Sequence, residues 1–432
     1  MITASHNPKE YNGYKVYGGD GAQLPPSAAD QVKKYIDGVA DIFNIDEVDI
    51  KNGAASLFVK RVGGGLDGLY FKKVILNLLF NKEIKKARKK VKIVYTPLHG
   101  CGNTYVTKLF KKLKVNFVTV KEQTAPDENF STVALPNPEF FETFSMGIAL
   151  AEKVKADIVL GTDPDADRVG AAVRNADGEF EQLSGNQTGV LLLDYILRRL
   201  QESEIMPENA AVVKSFVTTS LAKAVAEDYN AEVIDVPVGF KYIGEKIAEF
   251  ETGGDKTFVF GLEESCGYLR GTYARDKDGI MSAALFAEMA AYYASKNKSV
   301  YGALCDIYDK YGYVYDKNIS ISYSGINAMN EMKAAVDKIR NTEIKNIGIN
   351  FISEMRDYIN GTVKLENGEV VKADLPKENA VYYLLENRSF ICVRPSGTEP
   401  KLKMYFSIKG CDKAKAEESF NILSKEFLRI LK

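Results

Sequence analysis

Short β-branched and aliphatic runs alternate along this 432-residue chain with stretches whose apolar positions recur every three or four residues. That alternation predicts α/β layers around mainly parallel sheets. Val91–Tyr95 reads as a strand, Asn103–Leu113 as a helix, and Val115–Val120 and Asp157–Gly161 as strands. A second unit of the same kind follows, with strands at Ala211–Lys214, Glu232–Val236 and Thr257–Gly261 and helices at Leu221–Asp228 and Tyr242–Phe250. The C-terminal part changes character. A strand at Ile319–Tyr323, a helix at Ala328–Asn341, several strands between Tyr358 and Ile408 and a closing helix over Asp412–Leu431 predict an α+β domain.

Candidate boundaries fall at Gly63–Gly65, near Asp177–Gly178 and around Tyr301–Tyr313. Gly63 to Gly68 matches G-x-G-x-x-G, but no clear βαβ unit surrounds it. The region about 20 residues on, Lys85-Lys86-Ala87-Arg88-Lys89-Lys90, is basic where an acidic ribose partner is required, so the segment is expected to be a linker.

Composition narrows the chemistry. With 57 Lys and Arg against 58 Asp and Glu, the chain as a whole offers no electrostatic attraction to nucleic acid or acidic membranes, although a local basic pocket stays open. No apolar run approaches the ~20 residues of a membrane span. The five cysteines are scattered and odd in number, which predicts neither disulfides nor a zinc ribbon and points to a reducing cytoplasm. With His6 and His99 the only histidines, a His-rich metal centre is out of reach, and function falls to carboxylates, hydroxyls and cations.

Four segments can carry that chemistry. In Thr3-Ala4-Ser5-His6-Asn7-Pro8 a serine stands in a turn of restricted backbone, which suits a nucleophile or phosphoryl carrier and equally an N-terminal turn or helix cap. In Asp163-Pro164-Asp165-Ala166-Asp167-Arg168 three carboxylates at i, i+2 and i+4 follow a strand. Brought together they repel unless a hard cation intervenes, so a Mg²⁺ site and a solvated acidic turn are the two readings. An EF-hand fails, because Arg168 and Arg174 stand where Gly and Glu belong, and a haloacid-dehalogenase-type aspartate motif fails at Asp167. Gly261-Leu262-Glu263-Glu264-Ser265-Cys266-Gly267, at another strand end, suits either sugar hydroxyls or an ordinary polar loop. Arg394-Pro395-Ser396-Gly397-Thr398-Glu399-Pro400-Lys401 offers a guanidinium fork, two hydroxyls and an approachable backbone, a phosphate cradle or a charged turn.

In this order and spacing the four segments resemble the α-D-phosphohexomutase superfamily of phosphoglucomutases and phosphomannomutases, over essentially the whole chain. Tyr95-Thr96-Pro97-Leu98-His99-Gly100, Val238 to Gly244 and Arg275-Asp276-Lys277-Asp278-Gly279 look like the longer phosphoglucomutase branch, which includes phosphopentomutase-like members. The resemblance implies consecutive α/β domains and a C-terminal α+β domain around one cleft. Residues 1–62 would be a remnant of domain I with the serine loop, 63–178 domain II with the metal loop, 179–305 domain III with the sugar loop and 306–432 domain IV with the phosphate loop.

It further implies that Ser5 is the phosphoserine, and that Asp163, Asp165 and Asp167 bind Mg²⁺ with a phosphate oxygen on Ser5. Glu263 and Ser265 would read sugar hydroxyls, while Arg394, Ser396, Gly397 and Thr398 would hold the phosphate that is not reacting. His6, Lys15, Arg168 and Lys241 would line the reacting end. The implied activity is a phosphoglucomutase working through glucose 1,6-bisphosphate, with phosphomannomutase, phosphopentomutase or an inactive phosphosugar-binding fragment as alternatives.

Family members carry most of a first domain before the serine loop, about 100 residues or more. With Ser5 near the start, the expectation is a late start site, a gene fragment, or a separate chain supplying the missing part, and an N-terminal remnant with uncovered apolar surface.

Overall fold

A computed structural model describes residues 1–44, 62–347, 350–396 and 400–431. The first sheet runs Asn116–Thr119, Lys92–Thr96, Ile158–Thr162, Val169–Arg174, Phe180–Leu183 across its width. Its first three strands are parallel and its last two antiparallel. Ile158–Thr162 is buried throughout, as a central parallel strand covered on both faces must be. The second sheet runs Glu232–Val236, Ala210–Ser215, Thr257–Glu263, Gly267–Leu269, again parallel with an antiparallel edge. The helices Gly185–Glu202 and Gly279–Ser295 each bury 14 residues. They merge the two sheets into one continuous apolar core, so the loops leaving both sheets are held by a single packed body.

The third sheet is antiparallel and has a core of its own. Its edge strand Tyr313–Ser322 pairs residue for residue with Lys401–Gly410, so it begins six residues before the predicted Ile319. Asp316 and Lys317 mask the alternation there, and the ten-residue ladder outweighs local propensity. Ala328–Asn341 forms the predicted helix. The Tyr301–Tyr313 boundary lies largely on the helix Val300–Tyr311.

The Gly63–Gly68 segment is not a linker. Gly63 is the N-cap of the helix Gly64–Leu76, which is pinned by buried Phe71 and Val74 at i and i+3. Residues 1–44 are thinly packed: two isolated bridges, Ile2 with Tyr14 and Tyr17 with Gln23, precede the helix Pro26–Asp37. Ile2, Tyr35 and Phe43 are 81%, 84% and 93% exposed. Among the described residues no helix is long and apolar enough to cross a membrane.

Candidate active site

The C-terminal ends of the parallel strands Ile158–Thr162 and Thr257–Glu263 deliver the acidic loop and the Glu263–Ser265 loop, as open α/β sheets do with ligand sites. Ile158–Thr162 hands directly to Asp163, which is fully buried. Ala166 adopts φ 56°, closing a tight turn in which the Arg168 backbone N–H donates to Asp163 Oδ1 at 3.0 Å. Gly100 is required beside this turn: a Cβ there would lie 2.4 Å from the Pro164 Cα. One oxygen each from Asp163, Asp165 and Asp167 falls within 4.8 Å of the others.

The serine turn meets this cluster. Ser5 has φ 53°, its N–H is held by Thr3 Oγ1 at 2.8 Å, and its hydroxyl donates to Asp163 Oδ2 at 3.0 Å. Thr3 Oγ1 donates to Asp165 Oδ2 at 3.0 Å, and His6 Nδ1 lies 3.1 Å from Ser5 Oγ. Lys15 Nζ is 2.8 Å from Asp167 Oδ2 and 3.5 Å from Asp165 Oδ2.

Lys277 Nζ stands 3.1 Å from the same Asp167 oxygen, and Arg168 Nε is 3.8 Å from Asp167 Oδ1. Burial pushes the Asp163 carboxyl well up, and its two acidic neighbours add to this. Burial would raise Asp167 as well, but Lys277, Lys15 and Arg168 outweigh it and hold that carboxyl below the usual range. Burial, then Arg168, depresses His6 to about 4.

A divalent cation fits this donor set. Oδ1 of Asp165 and Oδ1 of Asp167 are buried with no hydrogen-bond partner among the described residues, and the clustered hard oxygens are those Mg²⁺ prefers.

The second sheet supplies the next wall. Arg168 and Gly267 form an isolated bridge, and the Val169 N–H donates to the Cys266 carbonyl at 3.1 Å, stitching the acidic loop to the Glu263–Ser265 loop. Ser215 and Thr218 donate to Glu264 Oε2 at 2.9 and 3.2 Å. Neighbouring Glu263 is buried, which raises its carboxyl to about 7 against the opposing pull of Lys277. A cleft of about 750 Å³ is lined by His6, Arg168, Lys241, Glu263, Ser265 and Arg394, among others. Ser5, Lys15 and the three aspartates lie beyond that lining, at its Arg168 and Lys277 side.

On the third sheet Arg394 sits at the end of Phe390–Pro395, with Glu378 at 3.5 Å. The Ser396 N–H donates to the Lys401 carbonyl at 2.7 Å. Gly397 and Thr398 lie outside the described residues.

Three further charged residues emerge only in space. Lys277 lies within Arg275–Gly279, a segment the sequence singles out without a role for the lysine. Glu139 accepts from Arg168 Nη1 at 2.7 Å, and Lys403 stands opposite Arg394 in the antiparallel register and lines the cleft. Neither has a local sequence signal.

Sheets feeding loops into one cleft, with a serine on an acidic cluster at one end and an arginine at the other, define an α/β protein of several layered units around a shared site. Models of the phosphoglucomutase/phosphomannomutase family match its α/β/α domain I at residues 1–41, domain II at 68–178 and domain III at 184–311. The chain belongs to that family, within the α-D-phosphohexomutase superfamily. It is 35% identical over 411 residues to a phosphoglucomutase of Staphylococcus saprophyticus and 37% identical over 417 residues to one of Staphylococcus epidermidis. Each alignment covers 95% of this chain and 73% of the relative. In fold it is similar to a putative phosphomannomutase from Thermus thermophilus, with a TM-score of 0.68 at 19% identity, covering all of this chain and 77% of that one.

Proposed function

We propose that the protein is a phosphoglucomutase that interconverts glucose 1-phosphate and glucose 6-phosphate through a phosphoryl group carried on Ser5. The observation that carries this reading is the contact of Ser5 Oγ with Asp163, 3.0 Å, in a left-handed turn facing three clustered carboxylates. Phosphoserine gives its group to the free hydroxyl of the sugar phosphate, breaking the P–Oγ bond. The glucose 1,6-bisphosphate so formed reorients, and Ser5 Oγ takes back the other phosphoryl group.

Asp163, Asp165 and Asp167, with Ser5, are the donors that would hold Mg²⁺, which when bound offsets the charge on the transferring group. His6, Lys15 and Arg168 act at the reacting end as proton-transfer or electrostatic groups. Lys241 faces the substrate, Glu263 and Ser265 read sugar hydroxyls, and Arg394, Ser396, Gly397 and Thr398 grip the distal phosphate. One fixed distal grip serves both half-reactions, because either phosphate of the reoriented bisphosphate can occupy it.

In this reading the four units 1–62, 63–178, 179–305 and 306–432 each contribute one loop. A cytoplasmic setting suits the five free thiols.

The test is a coupled assay on glucose 1-phosphate with Mg²⁺ and a trace of glucose 1,6-bisphosphate. Turnover that disappears in Ser5→Ala is expected. Equal turnover in wild type and Ser5→Ala would overturn the reading, and faster turnover of mannose 1-phosphate or ribose 1-phosphate would change the sugar.

A further inference from the structure

The chain is almost neutral overall, and from that neutrality no attraction to nucleic acid or membrane is expected. The average conceals an asymmetry. Between Lys72 and Lys121, 50 residues carry 14 Lys or Arg and a single acidic residue, Glu83, leaving the other 382 residues with 43 cations against 57 anions.

The fold keeps this stretch together. Lys72 and Lys73 lie on the helix Gly64–Leu76, Lys85 and Lys86 on the helix Lys82–Ala87, and Lys89 and Lys90 in the turn after it. The helix Gly102–Leu113 adds Lys108, Lys111 and Lys112. Phe71 lies 6.0 Å from Tyr105, and Lys112 Nζ is 5.9 Å from the Phe71 ring, so the first and third helices are neighbours. Both Lys82–Ala87 and Gly102–Leu113 pack on Gly279–Ser295, and Asn116 reaches the Lys89 carbonyl at 3.4 Å. Lys72, Lys73, Lys85, Lys86, Lys89 and Lys90 are exposed, and none has an ion-pair partner among the described residues.

A second feature lies beside these lysines. On the helix Gly64–Leu76 the inner face is taken by Phe71 and Val74, while Leu66, Leu69 and Leu76 are 54%, 62% and 69% exposed. Together with Lys73 they occupy positions i, i+3, i+7 and i+10, a single outward stripe where a solvated helix would be polar. Ammonium groups around protruding leucines match a surface that offers phosphate headgroups above an acyl boundary, and lasting attachment there takes both signals together.

Nucleic acid is matched less well. Thirteen of the 14 cations are lysines, and base reading or stacking calls for Arg, Asn or Gln forks and open aromatic faces. The rings of this face, Tyr70, Phe71 and Tyr105, pack on one another instead.

We propose that this lysine face, with its leucine stripe, docks the protein reversibly on an anionic lipid bilayer. A Cβ on Gly102 would lie 2.5 Å from Thr162 Oγ1, beside the acidic loop, so Lys111 and Lys112 stand at the far end of a 12-residue helix, about 15 Å away.

Co-sedimentation with vesicles tests this, comparing phosphatidylcholine alone with phosphatidylcholine containing about one-third phosphatidylglycerol. Binding to the anionic vesicles at about 0.1 M salt, its loss at about 0.5 M and no binding to phosphatidylcholine alone are expected. Lys85→Glu, Lys86→Glu, Lys89→Glu and Lys90→Glu combined should lower the partition coefficient by about 10²-fold or more, with the thermal melt unchanged. Leu66→Ser with Leu69→Ser should lower it about tenfold and leave the salt dependence alone. The proposal is overturned if wild-type protein fails to sediment with anionic vesicles at low salt, or if charge reversal leaves sedimentation unaltered. Binding to duplex DNA without binding to vesicles would replace the bilayer by nucleic acid.

Discussion

The two ends of the cleft are built by opposite means. At the acidic-loop end, Asp163, Asp165 and Asp167 interlock with Lys15, Lys277 and Arg168 in space nearly closed to water. Charges there compensate one another before any ligand arrives, and the supporting strands belong to the large shared core. At the Arg394 end, two cations stand on adjacent antiparallel strands over a separate core, with Glu378 no closer than 3.5 Å to Arg394. The first end is preorganised for chemistry, where small displacements matter. Under the proposed function the second keeps positive charge in reserve for an anion, where loss of one group weakens grip more than it disturbs geometry.

The comparison breaks most sharply at Asp163. Asp163→Asn, which withdraws charge from the buried centre of the cluster, should lower kcat by about 10³-fold while the KM for sugar phosphate changes little. Chelating divalent cations should match that loss of turnover and leave phosphosugar binding, measured by calorimetry, intact. Gly100→Ala should cost about 10²-fold in kcat, since the new methyl displaces the Pro164 backbone and with it the acidic loop. Arg394→Ala should act at the other end, raising KM up to about 10²-fold with kcat nearly preserved. A kcat loss larger than the KM change in that variant would erase the distinction between the two ends.

The smallest expected effect concerns how the third sheet is attached. Asp316 on the strand Tyr313–Ser322 is half-buried with its carboxyl turned away from water, and that desolvation raises it to about 7. Ser407, opposite it in the ladder, accepts from the Ser220 N–H of the second unit at 3.2 Å. Because the folded chain binds this proton more tightly than the unfolded chain, the associated stability is present below about pH 4 and is lost as pH rises through about 7. Between pH 5 and pH 8, Asp316→Asn should therefore lose about 2 kcal/mol less stability than wild type in urea unfolding. Parallel pH profiles for the two proteins would refute this.

Much of the site is legible along the chain because its groups come in short runs. The alternating aspartates 163, 165 and 167 announce mutual repulsion, and a serine just before His6 and the Asn7-Pro8 turn announces exposure. The helix Ala328–Asn341 and the parallel strands follow from apolar periodicity, and the motifs together carry the family resemblance. What stays hidden are pairings between residues far apart: Lys277 with Asp167, Glu139 with Arg168, Lys403 beside Arg394. A lone lysine or glutamate has no local pattern to distinguish a buried partner from a solvated charge.

Gly63–Gly68 taught the reverse lesson. Glycines that read locally as a linker became a helix start, because Phe71 and Val74 had a surface to bury against. The sequence by itself determined the order of layers, the position of the acidic, Glu263 and Arg394 loops at strand ends and the chemical kind of group each loop carries. Only the tertiary structure decided which cations meet which carboxylates, and it set nine lysines of one cation-rich stretch on neighbouring helices and the turn between them. Periodicity is a property of nearest neighbours along the chain, whereas charge compensation depends on distances that exist only once the layers have packed.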